Sequence, residues 1–382
     1  MGKLRLPDAE VGSVDLLVIA AECSGDELGA ELIRDCRRLR PAERICGIGG
    51  QNMARETPNF LYNLVDHAAM GIWDVLAHLP FFLHFLREIV RWIAAVRPRR
   101  VCLIDSPALN LRIAKELLAR AISRRGGGTV SLYYYVAPQV WAWKPERRFV
   151  LARSVDSLAV LFPFERAIFA ETGLPTVCVG HPFLRSRSPV HYAEDGTFLL
   201  LPGSRRDAVR RIFPTMLSCA ADPALDRLPS ITCIYPTEEI RQLLVDQIVA
   251  GGASLTARIR LLSSEEAQKN SVGARLVLVG AGSMSLRCAF AGIPGAIVYR
   301  THPLTYWMGR RLLRIPRIGI ASILLGYECY PEFIQDEAKV PLIVAKLVQM
   351  FNGGNDFAAI AEELRARMAC HGLLPAEWIA GP

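Results

Sequence analysis

The chain has no C-x-x-C pair, and none of its ten cysteines stands in a Cys/His group with zinc spacing. That argues against a zinc module or a thioredoxin-like redox motif. Cys102, Cys178 and Cys288 lie in apolar runs, where a thiol behaves as a small core residue. Reduced thiols and a cytoplasmic setting are expected from this usage. No run reaches the roughly 18 consecutive apolar residues of a membrane span. No basic segment followed by an apolar stretch reads as a secretory leader. There is no internal repeat, low-complexity tract, heptad array or RNA-binding signature, so no nucleic-acid partner is expected.

What is present points to a two-domain α/β protein. A length of 382 residues exceeds the usual single domain, and 51% hydrophobic against 21% charged residues supplies sizeable cores. The net charge of +8 gathers at Arg97/Arg99/Arg100, Arg205/Arg206/Arg210/Arg211 and Arg310/Arg311/Arg314/Arg317. Such clusters are solvated helix faces or seats for an anionic partner. Continuous apolar runs at 14–20, 101–105, 130–136, 156–162, 176–179, 197–201, 231–235, 275–279 and 295–299 alternate with helical patterns. Strands of that kind belong in parallel sheets covered on both faces. The polar stretch 185–196, with Pro189 and Gly196, reads as the linker. The expected domains are 1–185 and 186–350, followed by a helical tail at 351–382 that packs back on the first domain or on a partner subunit. In residues 76–96, Phe81, Phe85, Ile89 and Ile93 recur at i, i+4 behind Pro80. This broad apolar face suits a core helix, or one lying apolar side down on a membrane.

The chemistry-bearing residues follow strand ends, where doubly wound folds bind ligands. Glu22-Cys23-Ser24-Gly25-Asp26 ends the first apolar run and carries two carboxylates, unlike a dinucleotide or P-loop fingerprint. Asp105 closes VCLID and is either a helix cap or a general base. In LLLPGSRR, Gly203 and Ser204 admit close backbone approach, and Arg205 suits a phosphate clamp. Gly280, Gly282 and Ser283 precede a further helix and form a plausible diphosphate seat. Two tryptophans flank one alanine in YVAPQVWAWKPERR, costly if exposed and better read as ordered packing of a loop beside the ligand.

Taken together, AECSGDELGAELI, GIGGQNM, MGIWDVL, IDSPALNLR, YVAPQVWAW, LFPFE, VGHP, LLPGSR, GAGSMSL and PEFIQ resemble the lipid-A-disaccharide synthase family. The order and spacing agree from about residue 14 to about residue 340. The resemblance implies a GT-B type glycosyltransferase, two doubly wound Rossmann-like domains facing a central cleft. It implies inverting transfer of a diacylglucosamine from its UDP derivative to the 6-hydroxyl of diacylglucosamine 1-phosphate, without metal or other cofactor. Asp105 becomes the base candidate, with Glu22 as its catalytic neighbour. Ser24, Gly25 and Asp26 would line the acceptor side; Gly203, Ser204, Arg205, Gly282 and Ser283 would hold the diphosphate. It further implies peripheral work at the cytoplasmic face of the inner membrane, with the 81–96 helix touching lipid, and is compatible with a homodimer. The chain departs from the family pattern at Ala108 and Ala208, where Asp and Glu are usual, and at Arg287 and Ser322, where Glu and Asn are usual. No role is carried onto those four. Two readings stay open: a working synthase with a rewired donor site, or a paralogue, non-catalytic or altered in specificity, that binds a lipid-sugar or serves a partner synthase.

Overall fold

A computed structural model describes residues 5–8, 10–65, 72–303, 306–307, 311, 317–353, 356–370 and 372–381. Met70 and Gly71 of the MGIWDVL block, and Arg310 and Arg314 of the third basic cluster, lie outside the described residues. The chain divides into two compact units, Met1–Pro182 with Cys370–Pro382, and Phe183–Ala369.

The first unit holds β1 (Leu16–Ala20), β2 (Ile45–Gly49), β3 (Asn59–Asn63), β4 (Arg100–Ile104), β5 (Ser131–Tyr135), β6 (Ser157–Val160) and β7 (Thr176–Cys178). They form one parallel sheet in the order β3-β2-β1-β4-β5-β6-β7. The second unit holds β8 (Val190–Leu201), β9 (Ile231–Tyr235), β10 (Ile259–Ser263), β11 (Val272–Gly280), β12 (Gly295–Tyr299) and β13 (Glu332–Ile334), in the parallel order β10-β9-β8-β11-β12-β13. Each sheet reverses its winding once, between β1 and β4 and between β8 and β11. A doubly wound sheet opens its ligand crevice at such a switch point.

Three expectations change. The stretch 185–196 is not wholly a linker: β8 begins at Val190, and Val190 and His191 pair with Val272 and Gly273 before an irregular stretch leads to Thr197. In the helix Ile72–Val96, Phe85, Ile89, Trp92, Ile93 and Val96 are buried in the first unit's core. The core reading therefore holds from Phe85 onward, and apolar surface remains at half-buried Phe81 and Phe82 and exposed Leu83. The thiols are not all reduced: Cys178, at the end of β7, is joined to Cys370 by a disulfide. The other eight cysteines are free, and only Cys23 among them is exposed.

The chain returns to the first unit at Cys370, while the helix Phe357–Met368 belongs to the second. Trp378 packs edge-on against Tyr133 at 5.2 Å and donates its indole N–H to Ser157 Oγ at 2.8 Å. Arg100 binds the Ile379 carbonyl at 2.9 Å and pairs with Glu43 at 2.6 Å. No helix among the described residues is long and apolar enough to cross a membrane.

Candidate active site

At the first switch point, Glu22 follows β1 and Asp105 follows β4. Asp105 and Ser106 are two successive non-glycine residues with left-handed backbone, φ +48° and +43°. Each costs about 1–3 kcal/mol and persists only where its surroundings over-determine it. Here they do. The Asp105 N–H donates to the Tyr135 carbonyl at 2.9 Å. Its own carbonyl accepts from the Tyr134 hydroxyl at 2.6 Å and from Asn110 Nδ2 at 2.9 Å. Asn110 is fully buried and also donates to the Ile104 carbonyl. Ser106, not Asp105, is the residue preceding the helix Pro107–Ala119, so Asp105 is no helix cap.

Burial pushes the Asp105 carboxyl up to about 6, and the negative charge of Glu22 adds to the shift. Glu22 is exposed, and its Oε1 accepts from Ser106 Oγ at 3.4 Å. The arrangement is a basic, half-buried carboxyl beside a solvated one, suited to taking a proton from a substrate hydroxyl.

The remaining residues of the opening motif fall out differently from the expectation. The helix Cys23–Leu39 starts at Cys23, so Ser24, Gly25 and Asp26 lie in its first turn rather than in a loop. Ser24 is exposed at that end. Gly25 is a packing glycine, since a β-carbon there would lie 3.3 Å from Ala20 Cβ and 3.6 Å from Ile104 Cγ2. Asp26 is only 2% exposed and accepts backbone N–H bonds from Gly50 at 2.6 Å, Asn52 at 3.0 Å and Met53 at 3.1 Å. Its carboxylate caps the helix Gln51–Glu56 instead of facing a ligand. A side chain at Gly50 would bring a β-carbon within 2.7 Å of Asp26 Oδ2, which accounts for the last glycine of GIGG.

A further acid was not singled out from the sequence. Glu165 of LFPFE is 3% exposed, and burial pushes its carboxyl up to about 7, with the charge of Asp105 contributing. It accepts from the Trp141 indole N–H at 3.3 Å and the Phe162 N–H at 3.2 Å, tying the tryptophan loop to β6. Phe162 stacks on His181 of VGHP at 5.5 Å. An acid two residues beyond a proline that opens a helix after a strand was the available signal.

In the second unit, Gly203 has φ +103°, a conformation that favours glycine. Ser204 and Arg205 are exposed immediately before the helix Arg206–Ala220. Arg206 pairs with Glu239 at 2.9 Å, whereas Arg205 has no ion-pair partner among the described residues. Gly280 lets the two loops adjoin, because a β-carbon there would lie 3.1 Å from the Pro202 carbonyl and 3.1 Å from Ile212 Cδ1. Gly282 and Ser283, both exposed, open the helix Ser283–Phe290. Two helix N-termini and one unpaired guanidinium thus meet at the β8/β11 switch, chemistry suited to a diphosphate.

At the positions that depart from the family pattern, Arg287 stacks 3.8 Å over Phe183 and donates to the Arg187 carbonyl at 3.4 Å. Ser322 is fully buried and accepts from the Cys329 N–H at 3.3 Å. In PEFIQ, Glu332 accepts from Ile318 and Gly319, and Gln335 makes paired bonds to the Thr301 backbone. Those two side chains brace loops. Among the described residues, no three His, Cys, Asp or Glu side chains converge as a metal-binding group.

Residues 16–371 match the family described as lipid-A-disaccharide synthetase. A lipid-A-disaccharide synthase from Geobacter sulfurreducens is 32% identical over 365 residues, 93% of this chain and 91% of that protein. Among solved structures, a putative UDP-N-acetylglucosamine 2-epimerase from Listeria monocytogenes aligns with TM-score 0.58 at 11% identity, covering 97% of this chain and 93% of that one. A spinosyn rhamnosyltransferase complexed with thymidine diphosphate aligns with TM-score 0.53 at 15% identity, covering 95% and 98%. At such identities the structural likeness speaks for the fold, which is of the GT-B type.

Proposed function

The chain belongs to the lipid-A-disaccharide synthetase family of glycosyltransferases, and from that premise we propose that it joins two acylated glucosamines. The donor is UDP-2,3-diacylglucosamine and the acceptor is 2,3-diacylglucosamine 1-phosphate. Transfer to the acceptor 6-hydroxyl inverts the anomeric centre and gives the β(1→6) disaccharide and UDP.

The observation that carries this reading is the strained Asp105 carboxyl beside Glu22, with a pKa near 6. Asp105 takes the proton of the 6-hydroxyl as its oxygen attacks the anomeric carbon. At neutral pH most of it is ionised, yet it stays basic enough for the proton transfer to help. Glu22, solvated and anionic, orients sugar hydroxyls or offsets positive charge developing at the anomeric carbon. The departing UDP gathers negative charge, which Arg205 and the N–H groups at Gly203–Ser204 and Gly282–Ser283 are suited to receive. On this reading no metal is needed, and the enzyme works peripherally at the cytoplasmic face of the inner membrane, touching lipid through Phe81, Phe82 and Leu83.

The test is UDP release from donor plus acceptor. The expected result is turnover that Asp105→Asn lowers by about 100-fold or more. Turnover that survives Asp105→Asn would overturn the base assignment. Absence of turnover, with no melting shift on adding UDP, would favour the non-catalytic paralogue.

A further inference from the structure

The loop between β5 and the helix Arg147–Ser154 carries two cations with an unusual environment. Lys144 Nζ lies 4.3 Å, and the Arg147 guanidinium carbon 4.8 Å, from the centre of the Trp143 ring. Two like charges on one indole repel each other and gain from a shared anion. None is supplied: neither side chain has an ion-pair partner among the described residues, while neighbouring Arg148 is paired with Glu171. Arg147 is half-buried, so its guanidinium has lost part of its water without a carboxylate in exchange. The guanidinium lies over the ring and its N–H groups have no hydrogen-bond partner among the described residues, which leaves them available to a phosphate.

The position of the cluster gives it a purpose. β5 is the neighbour of β4, with Ile104 opposite Tyr135, so the loop leaves the sheet beside Asp105. The positive charge of Arg147 reaches the buried Tyr134 hydroxyl, which itself donates to the Asp105 carbonyl. The cluster thus sits at the same end of the sheet as Asp105. A sugar phosphate can present its reacting hydroxyl to the base and its phosphate to the cations.

We propose that Arg147 and Lys144, held on Trp143, form the seat for the phosphate monoester of the acceptor sugar. The proposal rests on the reading of the first unit as the acceptor side. It names these as positioning residues that act through the anionic end of the acceptor.

Steady-state kinetics and calorimetric titration of the full chain test it, using acceptor with and without its phosphate, for wild type, Arg147→Gln, Lys144→Gln and Arg147→Lys. In the wild type, the phosphorylated acceptor should bind more tightly than the phosphate-free one. Arg147→Gln should raise the KM and Kd of the phosphorylated acceptor about tenfold or more while leaving the donor KM unchanged. For the phosphate-free acceptor, wild type and variant should behave alike. Arg147→Lys should restore part of the preference. A variant that melts like wild type and still prefers the phosphorylated acceptor by the wild-type factor overturns the proposal. So does a variant that keeps this preference but loses binding to phosphatidylglycerol vesicles, which would make the cluster a membrane contact. If the wild type performs no transfer, the proposed function falls, and the titrations still decide whether the cluster recognises the phosphate.

Discussion

Asp105 titrates near 6 because burial and the neighbouring Glu22 both penalise its charge. A base works in its deprotonated form, so kcat/KM should rise with pH through about 6 and level off above it. The second ionisation of a phosphate monoester also falls at about 6, so a limb at that pH does not by itself identify Asp105. Glu22→Gln separates the two. Removing the like charge moves the Asp105 limb to lower pH, whereas the phosphate's limb stays in place. A limb indifferent to Glu22 would assign the titration to the substrate. Asp26 shows where single-residue reasoning from sequence stops. It stands four positions from Glu22 and looks equally available, but its three N–H partners come from residues 50–53, which no local pattern brings near it.

The tryptophan loop depends on Glu165, whose two hydrogen bonds join Trp141 to the start of the helix Pro163–Ala170. Its carboxyl is held up at about 7 by burial. With the folded pKa above the unfolded one, the chain is relatively most stable below the unfolded pKa. Stability is then lost as pH rises through about 7. Glu165→Gln carries no charge to bury, so its melting temperature relative to wild type should climb between pH 5 and 8. The differential is on the order of 3 kcal/mol in stability. A pH-independent difference would mean the carboxyl ionises freely. The same neighbourhood explains what was legible in advance. Strands such as LLVIA and RVCLI are continuous apolar runs and declare themselves. β2 (ICGIG) carries two glycines, and β3 (NFLYN) is an edge strand without buried residues. β10 (IRLLS) and β13 (EFI) are polar at one end or short, so none of these four stands out by hydrophobicity. They show themselves only in the sheets, where β2 and β3 extend the first beyond β1, and β10 and β13 edge the second beside β9 and β12.

The disulfide acts at the largest range of the chain. Cys178 and Cys370 are 192 residues apart, and the segment they close contains the whole of the second unit. Cross-linking so distant a pair removes much of the freedom of the unfolded chain, worth about 5 kcal/mol in the loop-entropy account. In the folded state the bond fixes the point where the chain returns to the first unit, just before Trp378 settles against Tyr133 and Ser157. Without it, that segment of 13 residues is held by Trp378, by the Arg100 bond to Ile379 and by local packing. Treating the oxidised protein with dithiothreitol should therefore lower its melting temperature by several degrees. Cys370→Ser should melt at the reduced temperature and ignore the reductant. Trp378→Ala in the reduced protein should cost about 3–5 kcal/mol more, since a buried aromatic and its hydrogen bond are lost together. Equal melting of oxidised and reduced wild type would show that packing alone, chiefly of Trp378, anchors the returning segment.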